Sequence, residues 1–386
     1  MRKKLSLFLA SAMMLGCISG CGGTGKDVSV NTEAAKEAPA ENSQVEITEK
    51  SEAETEAKTE AQTEASGDEL KIVTTIFPEY DWVKTILGDN ADAAELTLLL
   101  DNGVDLHSYQ PTAEDIIKIK ECDMFVYVGG ESDEWVEDVL EEAVNPDMKV
   151  INLLEVLGDS VKAEEIVEGM EAEEEHEHEH EDGEEHEDGE EHEDGDEEHE
   201  HEDGEEEEEM DEHVWLSLRN AAVICDTIGT ELGELDPANA DVYKNNVAAY
   251  KEELTALDKE YAAVVEAGSK KTLLFGDRFP FRYLVDDYGL DYYAAFVGCS
   301  AESEASFETI VFLAGKVDEL GLGAVMTIEG PNHDIAESVK NATSSKDQVI
   351  LTLDSMQSTT SADIEAGTTY LSVMKSNLDV LKEAVK

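Results

Sequence analysis

Basic residues are scarce in this chain of 386 residues: Lys and Arg together number 27 against 94 Asp and Glu, a formal net charge of −67. Phosphate backbones are held by clustered Lys and Arg, so nucleic acid is excluded as a natural partner. Long apolar runs are also missing. Beyond the first twenty or so residues nothing approaches the roughly eighteen consecutive apolar residues of a spanning helix, so no membrane span is expected. Cysteine is sparse at five. Cys122, Cys225 and Cys299 show no Cys-x-x-Cys spacing and read as buried structural residues, with one disulfide permitted in an oxidising compartment. The motif His-Glu-x-x-His occurs only as His176-Glu177-His178-Glu179-His180, inside an acidic run where no helix is expected, so the usual helix-borne zinc and general base of a metallohydrolase are not indicated.

Lys and Arg are missing altogether from residues 171–212, and what fills that stretch is informative. It carries His176, His178, His180, His186, His192, His199 and His201 in a field holding 29 of the 94 acidic residues. A segment of like charge this dense buries nothing and repels itself, so a flexible arm is expected there. Neutral imidazole and carboxylate are the donors that coordinate zinc and its neighbours, and His-x-His-x-His spacing lets adjacent rings share one ion. A solvated acidic linker is the plainer alternative. Three histidines fall outside the tract: His107, His213 and His333.

The chain opens MRKKLSLFLASAMMLGCISGC, a basic start followed by an apolar stretch too short to span a bilayer. That pattern reads as a secretory signal over residues 1–21 and implies export. Ile-Ser-Gly-Cys21 resembles the lipobox of bacterial lipoproteins, which makes Cys21 the expected lipidation site and Cys17, in Met-Leu-Gly-Cys, a second candidate. Residues 22–69 are a polar low-complexity run without apolar periodicity, read as a disordered tether. The expected location is therefore the outer face of the cell membrane, held by a lipid anchor.

From Leu70 short apolar runs alternate with amphipathic stretches. KIVTTIF, a helix over 81–87, ELTLLL, a helix over 112–120, DMFVYVG, a helix near Trp135 and KVINL spell a parallel α/β lobe, 70–235, interrupted by the acidic tract. HVWLS reads as a short strand leading into a helix from Leu218. Residues 236–267 keep apolar spacing at Val242, Val247, Tyr250, Leu254, Leu257, Tyr261 and Val265, with Asp236 and Pro237 as cap and first-turn proline, so one long helix is expected. KTLLFGD, YYAAFVG, AVMTIEG and VILTLD with their helices build a second lobe over 268–386. The fold class is α/β, two parallel-sheet lobes joined by a long helix.

His107 follows the run ELTLLL, His213 sits beside VWLS, Asp277 ends TLLFGD and Asp354 ends VILTLD. Ligands of open α/β sheets bind beyond the carboxyl ends of strands, where three of these four positions lie. Two nitrogen and two oxygen donors, two from each lobe, suit zinc or manganese in the cleft between lobes. Each residue also has an ordinary reading: a loop histidine, a helix cap for Asp277, a turn for Asp354. His333 in IEGPNHD reads as a surface residue at a helix start, and Glu329 is a reserve donor.

These motifs resemble those of the metal-binding, substrate-delivering lipoproteins and periplasmic proteins of zinc and manganese ABC importers. TTIFPEYDWVKTI is similar to that family's opening strand and helix, LHSYQPTAEDIIKIKECDMFVYVGGESDEWV to its first-histidine segment, and DEHVWLSLRNA to the segment of its second histidine. The resemblance runs from about Leu70 to Lys386, and histidine-rich acidic insertions just before the second histidine typify its zinc members. It implies a monomeric, non-enzymatic receptor that takes Zn2+, with Mn2+ as alternative, and passes it to an ABC permease. It also implies His107, His213 and Asp354 as ligands. The third ligand departs from the pattern: Arg278 falls where a His or Glu is usual, and a guanidinium cannot ligate a cation. Asp277, one residue earlier, is then the expected donor, with water or a tract histidine as alternatives. A surface adhesin or metal-storage lipoprotein is the rival reading.

Overall fold

The computed structural model describes residues 69–171, 209–300 and 304–386. Cys21, the tether and the seven tract histidines from His176 to His201 lie outside them. The first lobe is one parallel sheet of β1 (Leu70–Thr74), β2 (Ala94–Leu98), β3 (Met124–Tyr127) and β4 (Lys149–Asn152), in the order β2-β1-β3-β4. The chain crosses between them through α1 (Phe77–Leu87), α2 (Ala113–Glu121) and α3 (Trp135–Glu141), and leaves β4 through α4 (Leu153–Leu157). Because β1 lies between β2 and β3, the loops after β2 and β3 leave from the same, carboxyl end of the sheet on either side of it. Helix α1 starts four residues before the apolar spacing suggested. Pro78 occupies its first turn, and the Glu79 carboxylate accepts from the backbone N–H of Thr75 at 2.9 Å and of Ile76 at 3.2 Å, satisfying donors that the first turn leaves open.

Two helices carry the chain out of this lobe, α5 (Leu218–Leu235) and α6 (Ala240–Ala267). Ser217 caps α5 by accepting from the N–H of Arg219 and Asn220 at 3.2 and 3.1 Å. The long helix begins at Ala240, and Asp236 serves outside it, accepting from Tyr243 Oη at 2.7 Å and Asn239 Nδ2 at 2.6 Å. Val247, Tyr250, Leu254, Leu257, Tyr261 and Val265 are buried as expected, whereas Val242 is exposed and Tyr243 takes the inward position. At 28 residues this helix is about 42 Å long.

The second lobe is assembled from shorter strands. They are β5 (Thr272–Leu274), β6 (Arg278–Phe279), β7 (Asp291–Tyr293), β8 (Phe296–Val297), β9 (Ala324–Ile328) and β10 (Val349–Leu353). The intervening helices are α7 (Arg282–Tyr288), α8 (Phe307–Leu320), α9 (Asp334–Ala342) and α10 (Ser361–Glu365), with α11 (Tyr370–Ala384) last. β5 pairs with β7, β6 with β8 and β9 with β10, all parallel. Bonds from Phe275 N to Tyr293 O at 2.8 Å and from Gly276 N to Met326 O at 2.9 Å carry β5 on between β7 and β9. The run YYAAFVG is thus two strands, because the chain steps sideways at Ala294 and Ala295, both fully buried, and pairs afresh.

Helix α6 packs on α1, α5 and α11, so it touches elements of both lobes. Tyr261 Oη donates to Met374 O at 2.6 Å. The segment expected as a strand at VWLS is instead a single tight turn, Val214–Leu216, closed by Leu216 N to His213 O at 3.1 Å. The turn aims Trp215 across the molecule, where its Nε1 donates to Ser355 O at 2.8 Å beyond β10 while Tyr370 Oη donates to Trp215 O at 2.7 Å. Trp215 is completely buried, worth about 2–3 kcal/mol of transfer free energy beyond its hydrogen bond. Among the described residues no helix is long and apolar enough to cross a membrane.

Candidate metal centre

The loop after β2 turns through Leu106–Ser108, and Asp105 starts that turn by accepting from His107 N at 3.1 Å. The His107 ring then reaches the loop after β3, its Nδ1 2.8 Å from Ser132 Oγ, and also lies 3.4 Å from Oε2 of Glu212, just before His213 in the chain. Gly130 makes this approach possible. Its φ is +84°, and a Cβ there would stand 2.3 Å from Glu212 Oε1. With no side chain in the way, Glu212 Oε1 accepts from Ser132 N at 2.9 Å.

His213 is fully buried. One oxygen of Asp211 accepts from its backbone N–H at 2.9 Å and sits 3.1 Å from its ring Nδ1. An ionised carboxylate accepts only, so Asp211 draws the ring proton to Nδ1 and leaves the Nε2 lone pair bare, the arrangement usual behind a metal-bound histidine. The Nε2 atoms of His107 and His213 face each other at 3.2 Å. Two nitrogens held at about 2.05 Å by one tetrahedral zinc stand about 3.3 Å apart, so the spacing already matches.

A third donor comes from the other lobe. Cys299 follows β8 in the sequence Gly298-Cys299-Ser300, and one ligand atom each from His107, His213 and Cys299 lie within 4.8 Å of one another. Gly298 permits the contact, since a Cβ there would meet Phe279 O at 2.9 Å and the His213 ring at 3.0 Å. Cys299 N donates to Glu164 Oε1 at 3.1 Å. His107 and Cys299 face a cavity of about 250 Å³ that Glu131, Glu164, Glu209 and Glu212 also line.

The surroundings are strongly anionic. Burial alone would raise Glu212, but its bonds to His107 and Ser132 hold it below the usual carboxylate range. Burial, then the charges of Glu164, Glu212 and Asp211, push the Cys299 thiol upward. Such a setting disfavours a bare thiolate and favours an arriving cation.

Arg278 lies beside this centre. Its guanidinium pairs with Asp105, at the root of the His107 turn, and its Nη1 donates to Ser300 O at 3.4 Å, next to Cys299. Burial would raise Asp105, yet the Arg278 charge holds it below the usual range. The residue standing where the family pattern has a ligand therefore ties the His107 loop to the Cys299 loop.

Asp277 and Asp354, expected as ligands, do not join the converging donors. Asp277 Oδ2 accepts from Thr327 Oγ1 at 2.5 Å and Ile328 N at 3.1 Å, and its Oδ1 accepts from Arg278 N at 3.0 Å. It fastens β5 to β9. Thr327 Oγ1 also lies 3.0 Å from Nδ1 of His333. Asp354 shapes the turn after β10, where its Oδ1 accepts from Met356 N at 2.8 Å. Burial, then the Glu329 charge, push it up to about 6. Glu329 itself accepts from Ser355 N, Ser355 Oγ and Gln357 N at 2.6, 2.7 and 3.0 Å. Sequence reasoning missed Cys299, treating it as a structural cysteine for want of a Cys-x-x-Cys partner. The available signal was its position at the carboxyl end of a strand, the rule that pointed to Asp277 and Asp354.

Two parallel-sheet lobes, one long helix packed on both and donors meeting at the lobe junction define the class of helix-linked solute-binding proteins. Residues 72–384 match the family described as ZnuA, zinc-uptake complex component A periplasmic, and the chain belongs to that family. It is 31% identical over 315 residues to the zinc-binding lipoprotein AdcA of Streptococcus pneumoniae, an alignment covering 82% of this chain and 56% of that protein. The chain thus spans little more than half the length of that relative. It is 28% identical over 319 residues to the high-affinity zinc uptake system protein ZnuA of Bacillus subtilis, covering 83% of this chain and 88% of the relative. Among solved structures it is similar to the Zn(II)-bound ZnuA-like domain of Streptococcus pneumoniae AdcA, with a TM-score of 0.60, 27% identity and coverage of 82% and 99%.

Proposed function

We propose that this protein is an extracytoplasmic receptor that captures a single zinc ion at the junction of its lobes and delivers it to an ABC permease. No bond in a substrate is made or broken. The observation that carries the reading is the pair of Nε2 atoms at 3.2 Å, each on a ring whose Nδ1 is engaged by Ser132 and Glu212 or by Asp211. With the ring protons at Nδ1 the two Nε2 lone pairs face each other and repel unless a cation stands between them, and a zinc ion fits the spacing. The names of the streptococcal and Bacillus relatives point to the same ion. Cys21 carries a lipid that holds the chain, as a monomer, at the outer face of the cell membrane.

The acidic tract acts as a low-affinity collector. The segments flanking it pair beside the cavity, with Glu164 N donating to Glu209 O at 2.9 Å and Asp211 N to Lys162 O at 2.8 Å. Glu164 and Glu209 also line the cavity, so both ends of the tract are anchored beside the site and covalent linkage raises the effective concentration of ions that the tract collects. Growth under zinc limitation tests this: a strain lacking residues 172–208 should need more external zinc, and an unchanged requirement at every zinc level contradicts the collector.

A further inference from the structure

We propose that Cys299 is the third protein ligand, as a thiolate, and that its sulfur makes the centre select zinc over manganese. The inference rests on the receptor reading above and deepens it, because the relatives' names specify an ion and assign no sulfur. Cys299 alone among the described cysteines meets the histidines. Cys122 and Cys225 are fully buried elsewhere, the former bonded to Ile119 O at 3.1 Å.

The geometry needs little adjustment. Zn–N of about 2.05 Å and Zn–S of about 2.3 Å place nitrogen and sulfur about 3.6 Å apart around a tetrahedral ion. The three donors already lie within 4.8 Å, so a movement of about 1 Å by one side chain closes the set. Each lobe contributes, and each donor is held from behind: His107 by Ser132, His213 by Asp211, and the Cys299 backbone by Glu164. Arg278 supplies the remaining brace between the His107 and Cys299 loops and offers no lone pair of its own. A soft thiolate beside two imidazoles favours zinc over manganese, which prefers carboxylate and water oxygen. Three protein donors leave a fourth tetrahedral position for water, a vertex through which the ion can be handed on.

Cobalt(II) is the probe, since a thiolate ligand gives it an intense charge-transfer band that nitrogen and oxygen donors lack. Titrating the full chain with one equivalent should give that band together with visible ligand-field bands. Cys299→Ser should lose the charge-transfer band while keeping weaker His107-dependent binding, with zinc affinity down about a hundredfold and manganese affinity changed less than tenfold. Cys299→His should recover most of the zinc affinity without the band. Circular dichroism of each metal-free variant establishes folding. A wild-type chain that binds cobalt tightly through His107 without a thiolate band overturns the assignment of Cys299 and leaves the receptor reading intact. Absence of any His107-dependent tight binding overturns both.

Discussion

Two corners of this molecule hold the same kinds of side chain and use them in opposite ways. Around His107 the hydroxyl of Ser132 and the carboxylates of Glu212 and Asp211 stand behind the imidazoles, at Nδ1, so the Nε2 atoms face one another. Around Asp277 the carboxylate accepts three hydrogen bonds, two of them from backbone N–H groups, and the Thr327 hydroxyl lies between it and His333. Both corners contain histidine, carboxylate and hydroxyl. What separates a cation site from a structural joint is the direction of the lone pairs left over.

The sharpest way to break this contrast is to remove a nitrogen. His107→Ala and His213→Ala should each weaken zinc binding by more than about a hundredfold, exceeding the 10–100-fold typical of groups behind the ligands, as read by competition with a chromophoric chelator. An intermediate effect is expected at the brace: Arg278→Ala should cost about tenfold in zinc affinity, with a faster off-rate, and Arg278→Lys should recover part of it. Asp277→Ala should show the reverse profile, zinc affinity within about threefold of wild type but unfolding made easier by about 1 kcal/mol, because Thr327 and Ile328 lose a part-buried acceptor. A loss of zinc affinity with unchanged stability in Asp277→Ala would erase the distinction between the two corners.

The smallest effect concerns a carboxylate held by burial away from both. Asp81 accepts from Tyr370 N at 2.9 Å, tying α1 to the start of α11, and burial pushes it up to about 6 from an ordinary 3.8. The folded state then keeps a proton that the unfolded chain releases, so this group's contribution to stability declines as pH rises from about 4 to about 6. Asp81→Asn should flatten the pH dependence of chemical denaturation across that window, and an unaltered slope would show that Asp81 ionises normally in the folded chain.

Much of this was legible in the residues. Apolar runs of β-branched character separated by amphipathic stretches defined both lobes, and helical spacing through Val247, Tyr250, Leu254, Leu257, Tyr261 and Val265 marked the long helix, although Val242 was expected inside where Tyr243 is found. His107 and His213 were expected together from the resemblance of their two segments, and the fold brings their Nε2 atoms to 3.2 Å. The differences share a cause. VWLS looks like a strand, but the Asp211 side chain captures His213 N and curls the chain into a turn. Asp277 and Asp354 have the right chemistry and the right strand ends, yet whether a carboxylate is free depends on which N–H groups the neighbouring strand and turn bring to it. Cys299 was read as structural because the two histidines beside it, 192 and 86 residues earlier in the chain, become its neighbours only in the fold.

The most direct measurement is a competition titration of zinc into the purified chain lacking residues 172–208, beside the same protein carrying His107→Ala. The account predicts one tight zinc site that survives removal of the tract and disappears with His107. Tight binding that vanishes with the tract, or that persists unchanged without His107, would contradict it and leave a metal-storing surface protein in place of a receptor.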